Sequence, residues 1–182
     1  IELNEDPVFQ PEICIGYKGF SASVWGNMEL TDVYNDHGAE GDTGDFTEVD
    51  YTFDYSGSFS RFNYSVGAIY YDFPHTGFTD TLEIYVALGY DCLLSPTLTV
   101  YRDLRANDGY YVTAGISHDF DLQFFFNSTL STSATVGCAN RRMTRYYYGE
   151  RKTAVTDGLI SASLSIPVTK HIAIAPAVHY SA

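Results

Sequence analysis

Apolar and polar residues alternate with a period of two along most of this chain. Between Arg61 and Tyr71, the residues Phe62, Tyr64, Val66, Ala68 and Tyr70 fall on one side, and Asn63, Ser65, Gly67, Ile69 and Tyr71 on the other. That is the pattern of a β-strand whose two faces meet different surroundings. Val49, Tyr51, Phe53 and Tyr55 likewise oppose Glu48, Asp50, Thr52 and Asp54. Phe20, Ala22, Val24, Met28 and Leu30 oppose Ser21, Ser23, Trp25, Asn27 and Glu29, and Leu82, Ile84, Val86 and Leu88 oppose Glu83, Tyr85, Ala87 and Gly89. With Gly, Asn, Asp and Pro marking the breaks, the spacing predicts about ten strands. They lie near residues 12 to 17, 20 to 30, 47 to 57, 61 to 73, 80 to 90, 96 to 105, 109 to 119, 124 to 138, 155 to 166 and 171 to 181.

The connections between these strands alternate in length. Lys18-Gly19, Ser58 to Ser60, Asp91 to Ser95, Phe120 to Gln123 and Pro167 to Lys170 are short, Thr31 to Phe46, Pro74 to Thr79 and Ala139 to Ala154 are longer, and Arg105 to Asp108 is modest. Short turns at one end and longer loops at the other are the habit of outer-membrane barrels. A lipocalin-like soluble barrel shares part of this pattern. Small and acidic residues on the second face would make a poor dry core but suit a wet lumen. The expected fold is therefore an all-β, antiparallel, up-and-down transmembrane β-barrel forming one domain over residues 1 to 182. If Lys18-Gly19 is periplasmic, both chain ends fall on the outer side, so a strand is expected beyond each end, giving about twelve in the intact wall of a truncated chain.

Composition narrows the reading further. Tyr (16) and Phe (12) are abundant, which favours strands over helices. The formal net charge of -13 excludes a nucleic-acid partner, because phosphates demand a basic surface. No run of about 18 apolar residues is present for a helical span, but a barrel strand needs only about 10 alternating residues. Cys14, Cys92 and Cys138 are widely separated and odd in number, matching neither a metal-ligand spacing nor a disulfide framework.

Asp6-Pro7-Val8-Phe9-Gln10-Pro11, followed by Tyr17-Lys18-Gly19-Phe20-Ser21-Ala22-Ser23-Val24-Trp25-Gly26-Asn27, resembles the bacterial outer-membrane β-barrel family labelled Gcw_chp. Glu48-Val49-Asp50-Tyr51, Gly67-Ala68-Ile69-Tyr70-Tyr71 with Phe73-Pro74, and Thr81-Leu82-Glu83-Ile84-Tyr85 look like its later strands. The resemblance implies a location in the bacterial outer membrane, with membrane lipid and lipopolysaccharide as partners. It brings no catalytic residues and no cofactor.

Four constellations carry candidate chemistry. Glu29, Glu48, Asp50, Asp54 and Glu83 are expected on the lumen side, where acidic rings favour cations, unless Arg61, Arg102 or another base pairs with them. This makes a structural wall or a narrow, cation-leaning channel for small solutes the leading expectation, and the protein is not expected to be an enzyme. His179 and Ser181, two apart on one strand, form the base and nucleophile of an alternative, a lipid-modifying esterase. Asp32, Asp36, Asp42 and Asp45, with Glu40 and His37, are oxygen-rich enough for Ca²⁺ but fit no EF-hand spacing, so a solvated acidic loop is preferred. Arg141-Arg142-Met143-Thr144-Arg145-Tyr146-Tyr147-Tyr148 gathers positive charge and aromatic rings suited to lipopolysaccharide phosphates and sugars, although an ordinary outer loop with interface tyrosines is preferred. A soluble ligand-binding barrel is the remaining alternative, and it fails if the apolar strand faces point outward.

Overall fold

A computed structural model describes residues 7–31 and 43–182. The elements are β1 (Val8–Phe9), β2 (Glu12–Tyr17), β3 (Phe20–Glu29), β4 (Phe46–Phe59), β5 (Phe62–Asp72), β6 (Thr81–Tyr90), β7 (Thr97–Asp103), β8 (Tyr110–Leu122), β9 (Ser128–Ala139), α1 (Arg141–Tyr148), β10 (Ala154–Pro167), β11 (Ala173–Ile174) and β12 (Ala177–Ser181). They form one antiparallel up-and-down sheet in which each strand from β3 to β10 pairs with its neighbours in sequence. Among the described residues β1 and β2 line one edge of this strand order beside β3, and β11 and β12 line the other beside β10.

Each edge is in effect one strand broken by a proline. Pro11 separates β1 from β2, and Pro176 separates β11 from β12. Proline lacks the amide proton that a central strand requires, so an edge is where it can sit. Its carbonyl still bridges the gap: Pro11 accepts from the Gly26 amide at 3.1 Å and Pro176 from the Leu164 amide at 3.0 Å. The hairpin between β2 and β3 closes on Lys18 (φ 49) and Gly19 (φ 85), two left-handed residues whose twist matches the strands.

Two boundaries differ from the sequence reading. The predicted turn at 120 to 123 lies instead at 123–127, because β8 runs on to Leu122 and pairs it with Ser128. Phe126 and Asn127 then take positive φ to close the hairpin, so Phe124, Phe125 and Phe126 stand exposed at a turn. The predicted 139 to 154 loop contains α1. The Asn140 side chain accepts from the amides of Arg142 and Met143, and Gly149 ends the helix at φ 71, the usual pairing of an N-cap with a left-handed C-cap. The alternation of connection lengths is plain between β2 and β6 and again between β8 and β11. It disappears in the middle of the chain, where the connections at 91–96 and 104–109 are alike.

By contacts the chain divides into one unit of Ile1–Gly57, Ser65–Tyr85 and Arg102–Asp108, and another of Ser58–Tyr64, Val86–Tyr101 and Gly109–Ala182. In the first, register sets Ser21 against Asp54, Ser23 against Thr52, Trp25 against Asp50 and Asn27 against Glu48, while Ala22 meets Phe53 and Val24 meets Tyr51. A bulge follows Asn27, leaving Thr47 as the extra residue between Phe46 and Glu48. The bulge turns the Thr47 hydroxyl toward Asn27 and Glu29.

In the second unit, Ser117, Ser133, Ser161 and His179 form one cross-strand row, and Ile116, Ala134, Ile160 and Tyr180 form the adjacent one. In both units large apolar side chains stand open while polar ones are shielded, Ser128 and Thr144 being the buried polar residues of the second. Phe53 (66 % exposed) and Ile160 (61 %) stand open, whereas Glu29 is 3 % exposed and Asp103 fully buried. Among the described residues the buried apolar set is only Ala139 and Met143.

Candidate functional site

Polar side chains on one face of β3, β4 and β6, with the 103–107 turn, make the most developed chemistry in the molecule. Strand alternation puts Glu48, Asp50 and Asp54 on the same side of β4, about 6.6 Å apart for each two-residue step. All three are half-buried, as is Glu83 on β6. Their hydrogen-bond partners are largely neutral. Glu29 accepts from Asn27 Nδ2 at 3.0 Å and Thr47 Oγ1 at 3.1 Å. Asp54 accepts from the Tyr85 hydroxyl at 2.6 Å, and Glu83 from the Tyr71 hydroxyl at 3.2 Å. Asp50 Oδ1 is out of contact with solvent and has no hydrogen-bond donor among the described residues.

The Tyr85 contact is possible because of Gly67. A Cβ at position 67 would stand 2.6 Å from the Phe53 carbonyl oxygen and 2.6 Å from the Tyr85 ring, so the ring passes over β5 only where β5 has no side chain. The second unit repeats the device. Tyr111 on β8 lies across Gly137 on β9 and donates to Asp157 on β10 at 2.7 Å. The other oxygen of Asp157 accepts from Thr156 Oγ1 at 2.7 Å.

Asp103, the deepest carboxylate, is an anchor for its turn. It accepts from Thr81 Oγ1 (2.9 Å), from the amides of Arg105 (2.9 Å), Ala106 (2.9 Å) and Asn107 (3.2 Å), and from Asn107 Nδ2 (3.2 Å). Sequence reasoning missed it, because Asp103 sits at a strand end and its donors are mostly backbone groups. Arg102, one of the bases expected to pair with the acidic row, meets Asp108 at 2.9 Å, where both are solvent-accessible. Arg61 is exposed in the turn after β4.

The other candidate groups fall as follows. Register places His179 opposite Ser161 and Ser181 opposite Leu159, and Ser161 Oγ lies 2.9 Å from His179 Nδ1. The imidazole therefore meets a hydroxyl on the neighbouring strand rather than the one two residues along its own. Asp32, Asp36 and Asp42, with His37 and Glu40, lie outside the described residues. Asp45 lies within them, and its carbonyl accepts from the Glu29 amide at 3.0 Å. Among the described residues no three His, Cys, Asp or Glu side chains converge as a metal site, and all three cysteines are free thiols. No helix among the described residues is long and apolar enough to cross a membrane, a fact that does not bear on strands. No family model, no curated protein and no solved structure matches the chain.

Proposed function

We propose that this sheet is part of the wall of a bacterial outer-membrane β-barrel whose polar face lines a narrow, cation-leaning interior. The observation that carries this reading is the inverted burial: carboxylates and hydroxyls are the shielded groups, and Val, Ile, Leu and Phe side chains are the open ones. In water such an apolar surface would be very costly, at about 25 cal/mol per Å². Against hydrocarbon it costs nothing, and the polar face is then the one that needs water.

Strand length agrees. A tilted barrel strand needs about 9–11 residues to cross, and β8, β9 and β10 have 13, 12 and 14. Aromatic side chains flank the apolar stretch of β8, with Tyr110 at one end and Phe120 and the Phe124 to Phe126 turn at the other, the positions of membrane-interface girdles. Exposure of the apolar faces also counts against a soluble ligand-binding barrel, which would turn them inward.

The cation preference rests on the acidic row of the first unit. Glu48, Asp50 and Asp54 share one side of β4 and lie half-buried, as does Glu83 on β6, and rings of acidic side chains favour cations in pores. The test is planar-bilayer recording from the full-length protein under a salt gradient. A reversal potential favouring cations, moved toward zero by combined Glu48→Gln, Asp50→Asn and Glu83→Gln, is the expected result. A folded, inserted but silent protein would leave the wall and remove the channel.

A further inference from the structure

Five of the ten basic residues of this acidic chain, Arg141, Arg142, Arg145, Arg151 and Lys152, fall within α1 and the four residues after it. Glu150 is the one acid among them, and it is engaged by Lys152. Arg141, Arg145 and Arg151 form no ion pair with any described carboxylate. Tyr146, Tyr147 and Tyr148 are exposed beside them, while Met143 and Thr144 face inward.

This helix is electrostatically wrong by itself. Its first turn holds two arginines and no acid, where the dipole favours negative charge. Arg141 and Arg145 are four apart, so like charges share one face and repel by about 0.2–0.5 kcal/mol. Tyr148, seven residues from Arg141, completes the same stripe. The Asn140 side chain already occupies the free amides, so the helix end itself is not what an anion would meet. What remains is a set of exposed guanidinium groups with exposed phenol rings on the same short segment, a chemistry that suits a phosphate next to a sugar.

Local packing fixes the position of that stripe. The Asn140 amide donates to the Tyr110 carbonyl at 2.9 Å, and Thr144 Oγ1 donates to the Lys152 carbonyl. The helix is thus held at the end of β8, β9 and β10 where Tyr110 stands, at one limit of the exposed apolar face. A long polyanion would meet the net charge of -13 elsewhere on the chain, but a single headgroup need touch only this patch.

We infer that α1 and residues 149–152 form a docking site for the phosphorylated headgroup of an outer-leaflet glycolipid. The inference rests on the membrane reading for the source of the lipid, and its test separates the two. Full-length protein in zwitterionic detergent is titrated with diphosphorylated lipid A, with the same lipid after removal of its phosphates, and with inorganic phosphate as competitor. Binding is expected to weaken about tenfold or more on dephosphorylation, to weaken similarly in the Arg141→Gln, Arg145→Gln, Arg151→Gln variant, and to resist inorganic phosphate at matched concentration.

Equal binding of the dephosphorylated lipid by the wild-type chain overturns the inference without reliance on any variant. Complete displacement by inorganic phosphate overturns it as well, in favour of a free-anion site. Urea extraction of the wild-type protein from phosphatidylcholine vesicles reports on the wall alone. If the chain is extracted yet binds phosphorylated lipid A selectively, the docking site stands and the membrane-spanning reading falls.

Discussion

The Tyr85 hydroxyl reaches Asp54 at 2.6 Å by lying over Gly67, so a residue without a side chain on β5 joins β6 to β4. Tyr111 and Asp157 repeat the arrangement over Gly137. Each set ties three consecutive strands by one side-chain hydrogen bond. Gly67→Ala is expected to lower stability by about 1–3 kcal/mol, the usual cost of forcing atoms into a packed place. Denaturant midpoints of the refolded protein measure it. On a Tyr85→Ala background the same change should cost at least about 1 kcal/mol less, because the two residues are in contact. Additive effects would mean that the ring does not occupy the glycine.

Trp25, the single tryptophan, pairs with Asp50 on the polar face of β3. If that face lines water, its fluorescence should be quenched by aqueous caesium and left unchanged by lipids brominated on the acyl chain. Relative to free tryptophan, caesium should outperform iodide, and Asp50→Asn with Glu48→Gln should narrow the difference. Strong quenching by brominated lipid would invert the assignment of faces.

Asp103 holds its turn through five hydrogen-bond donors while fully buried. Asp103→Ala strands those donors, so a loss of about 3 kcal/mol or more is expected, since each buried unpaired group costs about 1–3 kcal/mol. Asp103→Asn keeps one acceptor oxygen and should lose less. Thermal unfolding of the two variants gives the order, and a neutral Asp103→Ala would show that the turn does not depend on it.

The caps of α1 make a separate claim about stability. Asn140→Ala should cost about 1 kcal/mol, and Gly149→Ala, at φ 71, a similar amount. Both should hasten trypsin cleavage after Arg145 and Arg151 while leaving resistance elsewhere unchanged. If the cuts are no faster, the caps are not what orders the helix.

The ten-strand pattern, the two faces of each strand and most of the turns were legible in the sequence because they are local properties. Period-two alternation is written residue by residue, and Lys18-Gly19 carries its own turn geometry. The helix left a trace as well, in Asn140 and Gly149, but so short a helix does not hold without tertiary contacts. Met143 and Thr144 supply these, and their burial cannot be read locally. The triple phenylalanine misled for the same reason. Its residue type favours a strand, yet the pairing of Leu122 with Ser128 makes it a turn.

What the sequence determined by itself is therefore the sheet and the chemistry of its faces: acids and hydroxyls on one, aromatics and branched chains on the other. Tertiary structure decided the partners. That Tyr85 meets Asp54, that His179 meets Ser161 rather than Ser181, and that Thr81 meets Asp103 all depend on register between strands. Register is set by pairings distant in sequence, and a shift of one residue would exchange the faces and every contact built on them.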